Sequence, residues 1–148
     1  MDEKISLNKF NLWHQLNPQV KGKETFYTAY KFFLEEFDEL YETVTDNGDS
    51  PINVTSKLLD DLGDSLFTLI QLFKWLDIPV EKVLDRICES NLTKFTTCKP
   101  CITDEANKHG YHVIEKSVGD KIYYAMVDDN GKIKKPTWFE NVKLDDLC

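Results

Sequence analysis

The residues best suited to chemistry are acidic, and they form two pairs at helical spacing. Glu36 and Glu39 lie three positions apart in one segment, and Asp61 and Asp64 lie three positions apart further along the chain. Side chains three positions apart on a helix share a face. Carboxylate oxygens are the ligands that Mg²⁺ and Mn²⁺ prefer in proteins. Antiparallel packing of the two segments would therefore create a divalent metal site.

The second pair lies in a segment whose apolar content predicts burial. Between Leu58 and Phe73 every charged residue is acidic, with no lysine or arginine. An unpaired buried carboxylate costs several kcal/mol or becomes protonated. A metal ion shared with the first pair would supply the missing positive charge. The alternative for the first pair alone is a solvated acidic face, which is the commoner meaning of an acidic run on a helix.

The histidines exclude one competing metal site. A di-iron bundle also uses carboxylates on helices, but it combines them with histidine in Glu-x-x-His. His14, His109 and His112 all lie outside the two acidic segments. The pattern is therefore not that of a di-iron protein.

Asn91 and Lys94 form a second group that could bind a ligand. Asn91 occupies a position where an apolar stripe expects an apolar residue, so its amide is predicted to face inward and to need a partner. Lys94 follows three positions later. An inward amide and an ammonium suit an anionic, oxygen-rich ligand such as a polyphosphate. A capping amide and a solvated lysine fit the pattern equally well.

Four helices are predicted to position these side chains, because apolar residues recur at spacings of three and four through residues 1–97. The third is apolar over more than half of its circumference and is expected to be the buried one. The first helix runs from the N-cap Ser6 to Leu16, the second carries an apolar stripe from Phe26 to Val44, the third runs roughly from Ser56 to Leu76, and the fourth starts at Pro79.

The C-terminal part has a different texture. Thr103 is predicted to cap a short helix that ends at Gly110, and residues 111–116 and 121–127 alternate like strands. A turn at residues 128–131 then leads into residues 132–135. The predicted fold class is mainly α: a helical bundle over residues 1–97, with a small β-hairpin appendage over residues 98–148 packed on the same domain.

The chain resembles the all-α nucleoside triphosphate pyrophosphohydrolases, the MazG-like superfamily. Residues 35–40, Glu-Glu-Phe-Asp-Glu-Leu, and residues 61–64, Asp-Leu-Gly-Asp, resemble the EExxE…ExxD signature of that family. Asp61 stands where the general signature has Glu. Asn91 to Lys94 resembles the Asn-x-x-Lys element of the phage-type, phosphoribosyl-ATP pyrophosphohydrolase-like branch. Residues 130–138 and the pair Trp13-His14 resemble the same branch.

The resemblance implies cleavage of a nucleoside triphosphate, ribo or deoxy, between the α and β phosphates to give the monophosphate and pyrophosphate. It also implies a MazG-like bundle that is completed by oligomerisation. The implied roles are these: Mg²⁺, or Mn²⁺, on Glu36, Glu39, Asp61 and Asp64; water activation by Glu35; phosphate binding by Asn91 and Lys94, with Lys94 also offsetting charge on the leaving group; and substrate binding by Trp13 and His14.

Composition restricts the partners. Eighteen basic and twenty-six acidic residues give a net charge of −8 and no basic stripe, which excludes nucleic acid and anionic membrane surfaces as expected partners. The N-terminus lacks a signal pattern and no apolar run reaches membrane-spanning length. We expect a cytoplasmic location, or the host cytoplasm if the chain is phage-encoded. The third and fourth helices carry more apolar surface than one layer can cover, which predicts a homodimer or homotetramer.

The cysteines are expected to be thiols, because a chain of this size with an adequate core needs no disulfides. They are Cys88, Cys98, Cys101 and Cys148. Cys98 and Cys101 with His109 and His112 have the residue types of a zinc site, but the seven residues between the pairs are fewer than usual. Surface thiols and loop histidines are the favoured interpretation.

Two further alternatives remain open at this point. An aromatic group, Trp13, Phe26, Tyr27 and Tyr30, could stack a nucleobase, although core packing is the favoured role. The alternative function is a non-catalytic helical dimer that acts as an interaction module, with acids that only keep it soluble. That function predicts no dependence on divalent ions.

Overall fold

The computed structural model describes residues 7–17, 23–48 and 51–148. Over these ranges the chain is mainly helical, with five α-helices and one two-stranded antiparallel sheet, which confirms the mainly α class and the small C-terminal hairpin. No helix in the described ranges has the length and apolar content to cross a bilayer. The chain divides into two compact units, Met1–Val80 and Glu81–Cys148. This division falls near the start of the fourth helix, whereas the sequence changes texture near residue 97.

The first unit contains three helices: α1 (Asn8–Leu16), α2 (Lys23–Thr45) and α3 (Ser56–Trp75). The start of α3 is fixed by Thr55, whose hydroxyl accepts a hydrogen bond from the Leu58 amide at 3.1 Å. This confirms the predicted start at Ser56. The helix α1 ends at Leu16 as predicted, whereas Ser6, its predicted cap, lies outside the described residues.

The helices α2 and α3 pack against each other in antiparallel directions. The Thr43 hydroxyl near the end of α2 donates to Asp61 near the start of α3. Further along α3, the Ser65 hydroxyl donates to the Glu36 carbonyl oxygen at 3.3 Å. Packing of the two acidic segments on adjacent helices was the central structural requirement of the predicted site.

Aromatic rings attach α1 to α3. The buried Phe10 ring lies 4.9 Å from Phe67, and Trp13 meets Phe67 edge-on at 4.8 Å. One turn further along, the His14 ring meets Trp75 edge-on at 4.9 Å. These contacts fix α1 beside the middle and the end of α3.

Burial on α3 differs from the expectation, because four of its seven buried residues are polar. Its buried residues are Leu58, Asp61, Ser65, Thr68, Ile70, Gln71 and Trp75. Its leucines at positions 59, 62, 66 and 69 are between 39% and 57% exposed. Polar groups on the inner face can bond to α2, as Ser65 and Asp61 do. The leucines of the apolar face are thus left about half exposed.

The second unit contains α4 (Val80–Leu92), α5 (Lys99–His109), the strands β1 (His112–Val118) and β2 (Lys121–Val127), and a 3-10 turn, Asp145–Leu147. The strands pair antiparallel, with His112 opposite Val127. The core forms where α5 covers this hairpin, around Ile102, Ala106 and Met126. Unlike the inner face of α3, this core is apolar.

The helix α5 starts earlier than predicted. It begins at Lys99 rather than after Thr103, because Cys98 acts as N-cap and Pro100 suits a first turn. Its end at Gly110, in the left-handed conformation with φ 69°, is as predicted.

The first turn of α5 holds a disulfide between Cys98 and Cys101, whose Cα atoms are 5.3 Å apart. The expectation of four thiols is therefore wrong for this pair, whereas Cys88 and Cys148 are free thiols. The physical reason is local: a C-x-x-C sequence at a helix start brings both sulfurs within bonding range.

A tight turn after β2 has the predicted position. The Asp128 amide donates to the Lys132 carbonyl oxygen at 3.0 Å, and the Asp128 carboxylate accepts from the Lys132 amide at 2.9 Å. Ile133 then pairs with Val127, and the Lys134 amide donates to the Met126 carbonyl oxygen at 2.8 Å. Residues 132–135 therefore run along the end of β2.

Candidate functional site

A cavity of about 380 Å³ in the first unit brings predicted site residues from three helices together. Glu36 of α2 and Asp64 of α3 line it, beside Trp13 of α1. Phe32, Phe67 and Gln71 form much of the remaining wall. Small-molecule sites typically enclose about 300–1,000 Å³. The cavity therefore combines two carboxylates and three aromatic side chains in a space suited to a small ligand.

The carboxylate of Glu36 is partly buried and lies near other carboxylates. Partial burial raises its pKa above the ordinary value, and repulsion from other carboxylates raises it further. The contributing groups, in decreasing order, are Glu39, Asp64, Glu35 and Asp60. They lie on both α2 and α3, so the two helices present one concentration of negative charge. A cation bound among them would relieve this repulsion.

Asp61 occupies a different environment from Asp64. Asp61 is only 2% exposed, and its carboxylate accepts a hydrogen bond from the Thr43 hydroxyl. The Lys57 ammonium lies 3.2 Å from the same carboxylate. These partners outweigh burial and lower the pKa of Asp61, with the Thr43 hydrogen bond as the main cause. The premise that this helix offers no base to its acids is thus wrong, because Lys57 lies four positions before Asp61. A metal-ligand role for Asp61 stays a prediction, and it would require displacement of Lys57.

The predicted aromatic group is divided. Trp13 lies in the cavity against Phe67, whereas Tyr27 and Tyr30 form a separate pair with centroids 6.5 Å apart on α2. Tyr27 is 59% exposed, and the Lys31 ammonium lies 4.9 Å from its ring centroid. Of the aromatic candidates named here, Trp13 is the one placed beside the carboxylates. His14 instead meets Trp75.

The predicted phosphate ligands lie in the second unit. Asn91 is exposed. Its place in the apolar stripe predicts an inward-facing amide, and this prediction is wrong. Lys94 follows the end of α4, with its ammonium 5.9 Å from the centroid of the Phe139 ring. Both roles in phosphate binding stay predictions, as does the role of Glu35, which is exposed on α2.

Within the described ranges no three His, Cys, Asp or Glu side chains are arranged to hold a metal ion. The zinc candidates have other contacts. Cys98 and Cys101 bond to each other, the His112 Nε2 atom lies 3.0 Å from Asp129, and His109 stacks on Tyr111. The acidic cavity differs from these, since its carboxylates repel one another and face an open space.

The residues near the predicted ligands that were not predicted as site residues include Thr43, Lys57 and Gln71. Thr43 and Lys57 hold Asp61, and Gln71, which is 4% exposed, lines the cavity. Thr43 and Gln71 each follow a predicted ligand, Glu36 and Asp64 respectively, by seven positions. Lys57 precedes Asp61 by four. Helical spacing places each of these residues on the same face as a predicted ligand, because residues four and seven positions apart share a face.

Comparison of the chain with protein-family models, with curated proteins and with solved structures gives no match. The resemblance to pyrophosphohydrolases therefore rests on the residues quoted from the sequence.

Proposed function

We propose that the first unit carries the active site of a Mg²⁺-dependent nucleoside triphosphate pyrophosphohydrolase. The reaction would break the bond between the α and β phosphates and release a nucleoside monophosphate and pyrophosphate. The observation that carries this proposal is the cavity that Glu36 and Asp64 line together with Trp13. Carboxylates from two separate sequence segments and a ring suited to a nucleobase meet there.

Carboxylate oxygens are the type of donor that a hard divalent cation prefers. Glu36 and Asp64 offer oxygens in the cavity, and Glu39 lies one turn from Glu36. Asp61 would become a further ligand if the metal ion replaced Lys57 as the partner of its carboxylate. Mg²⁺ held there, or Mn²⁺, would neutralise phosphate charge and acidify a bound water.

The remaining roles belong to the side chains of this chain. Glu35 neighbours Glu36 and would orient the attacking water or accept its proton. The resemblance assigns phosphate binding to Asn91 and Lys94, with Lys94 offsetting the charge that develops on pyrophosphate. Trp13 would contact the base. His14, which meets Trp75, would hold the helix that carries Trp13.

The direct test is a screen of the eight common nucleoside triphosphates for pyrophosphate release. We expect release with Mg²⁺ and none with EDTA, and ³¹P NMR should identify the monophosphate as the second product. Mg²⁺ should also raise the melting temperature, because a ligand at a hundredfold excess over Kd stabilises by about 2.7 kcal/mol. Release of orthophosphate, or equal melting temperatures with Mg²⁺ and EDTA, would contradict the proposal.

We also infer that the chain forms a homo-oligomer through the apolar face of α3. The positions on this face alternate in spacings of three and four, as in the seam of a coiled coil. They are Leu59, Leu62, Leu66, Leu69, Phe73 and Leu76. A second copy presents the same seam, so two copies can bury it symmetrically.

Replacing Leu62 and Leu66 by glutamate should convert an oligomer into a monomer in sedimentation equilibrium. Asn47→Glu, which adds charge at an exposed turn outside the seam, should leave the mass unchanged. A wild-type mass of one chain at micromolar concentration would refute the oligomer. An oligomer that hydrolyses none of the eight nucleotides would instead favour the interaction module.

A further inference from the structure

The second unit contains a cavity of about 410 Å³ whose polar wall is basic. Four lysines, Lys94, Lys132, Lys134 and Lys135, line it, together with His109, Tyr111 and Ile133. Its lining includes no aspartate or glutamate. This concentration of positive charge occurs in a chain with a net charge of −8, so it is a local feature that composition does not indicate.

Aromatic rings position three of these ammonium groups. The Lys134 Nζ atom lies 5.5 Å from the centroid of Tyr111. The Nζ atoms of Lys135 and Lys94 lie 4.8 Å and 5.9 Å from the centroid of Phe139. Cation–π contacts orient an ammonium without neutralising its charge, whereas a carboxylate partner would cancel it. The three ammoniums therefore remain available to an anion.

Hydrogen bonds hold the backbone that carries Lys132, Lys134 and Lys135. The Lys134 amide donates to the Met126 carbonyl oxygen at 2.8 Å, and the Lys132 carbonyl oxygen accepts from the Asp128 amide at 3.0 Å. These bonds hold residues 132–135 against the end of β2, whose residues 125–127 are buried. A site on such a segment loses less conformational entropy on binding than one on a free loop.

The two acids of the turn that precedes these lysines, Asp128 and Asp129, have other contacts. The Asp128 carboxylate accepts hydrogen bonds from the amides of Asn130 and Lys132 at 3.0 and 2.9 Å, and Asp129 contacts His112. Asp128 also interacts with the charges of Lys132 and Lys134 at longer range. Over the described residues, none of the four lysines forms an ion pair within 4.0 Å. The ammonium groups of the cavity are thus not neutralised by direct ion pairs.

We propose that this cavity binds a polyphosphate anion, either free pyrophosphate or the phosphate chain of a nucleotide. Four ammoniums match an anion that carries three to four negative charges near neutral pH, and the volume is that of a small-molecule site. Binding here needs no divalent cation, because the protein itself supplies the countercharge. The resemblance assigns Lys94 a role in the proposed hydrolysis, whereas Lys132, Lys134 and Lys135 take no part in it.

The test is calorimetric titration of the full chain with pyrophosphate, ATP, AMP and citrate in the presence of EDTA. Pyrophosphate or ATP should bind at least about tenfold more tightly than AMP, which carries fewer charges, and no more weakly than citrate, which carries about three. Tighter binding of ATP identifies the nucleotide as the source, and tighter binding of pyrophosphate identifies the free anion. Equal affinities for all four ligands, or no heat at millimolar concentration, would overturn the proposal.

A matched pair of double variants locates the site. Lys132→Gln with Lys134→Gln should weaken pyrophosphate binding at least about tenfold. Lys116→Gln with Lys121→Gln removes the same charge from exposed positions on β1 and β2 and should change it less than about twofold. Equal losses in both would indicate attraction by overall charge and would refute the site.

Two measurements keep the test independent of variant folding and of hydrolysis. In the wild-type chain, pyrophosphate should shift the amide resonances of residues 94, 111 and 132–135, and shifts confined to other residues would refute the site. Glu36→Gln should retain full pyrophosphate binding in EDTA. Failure of the proposed hydrolysis would leave this binding unchanged, so the two proposals can fail separately.

Discussion

The two units of this chain manage charge in opposite ways. Residues 1–80 contain fourteen acidic and seven basic residues, whereas residues 81–148 contain twelve and eleven. The first unit gathers carboxylates on facing helices beside a cavity, and the second gathers lysines around a cavity of similar volume. A polyphosphate would need a cation to enter the first cavity and none to enter the second.

The units also differ in how they use apolar side chains. The second unit packs Ile102, Ala106 and Met126 into a core with near-zero exposure. In the first unit, α3 turns Asp61 and Ser65 inward while Leu62 and Leu66 stay exposed. Net charge and mean hydropathy average over both arrangements. The difference shows that whole-chain composition describes neither surface, and the following experiments test it.

The largest effect should come from the acidic cluster of the first unit. Glu39→Gln removes the charge of a proposed metal ligand while retaining its shape, so pyrophosphohydrolase activity should fall at least about a thousandfold. Asp38→Asn is the matched control and should be nearly silent, since Glu39 raises the pKa of Glu36 and Asp38 is not among the carboxylates that do so. Equal damage from both changes, measured by pyrophosphate release, would show that the helix face is misassigned.

Lys94→Ala tests whether the units act on the same substrate. If Lys94 offsets charge on leaving pyrophosphate, kcat/KM should fall about a hundredfold, with kcat reduced as well as KM raised. Lys116→Ala, at an exposed position of β1, is the control. Unchanged kcat together with weaker pyrophosphate binding in EDTA would remove Lys94 from the hydrolysis and would separate the two cavities functionally.

Opposite pH dependences are expected for two carboxylates of the first unit. The pKa of Glu36 is raised on folding, so its ionisation destabilises the fold as pH rises through that pKa. In EDTA, Glu36→Gln should therefore melt a few degrees higher than the wild type at neutral pH, with the difference vanishing in acid.

The pKa of Asp61 is lowered, so its contribution to stability is present above the unfolded-state pKa and is lost as pH falls through the folded-state value. Thr43→Val removes the main cause of this lowering. The variant should be less stable than the wild type at neutral pH, with a gap that narrows in acid. Urea unfolding between about pH 3 and pH 8 measures both differences. Parallel pH profiles for Glu36→Gln and Thr43→Val would contradict the assigned environments.

The smallest effect concerns glycine in the two units. Nothing lies within 4 Å of a Cβ placed on Gly63 of α3, whereas Gly119 adopts φ +62° in the hairpin turn. Gly63→Ala should stabilise by up to about 1 kcal/mol through helix propensity. Gly119→Ala should destabilise, because alanine disfavours that backbone conformation. Destabilisation by Gly63→Ala that disappears in the Leu62→Glu, Leu66→Glu variant would place a second copy against this face.

Local sequence signals determined the secondary structure of this protein. Periodic apolar residues fixed the helices, Thr55 fixed the start of α3, and Gly110 fixed the end of α5. Each of these depends on hydrogen bonds or backbone conformations within a few residues. The turn at Asp128, which follows β2, is equally local. The start of α5 is the exception, because Cys98 caps the helix and the predicted cap, Thr103, lies inside it.

Tertiary structure alone decided which faces meet. Periodicity shows that α3 has an apolar stripe, but the inward turn of Asp61 depends on Thr43, a residue of another helix. The basic cavity likewise needs Lys94 beside Lys132, Lys134 and Lys135, which follow it by about forty positions. Such contacts depend on how distant segments pack, and their energies belong to pairs of residues rather than to either segment. The sequence therefore specified the elements and their candidate chemistry, whereas packing selected the partners of each charged group.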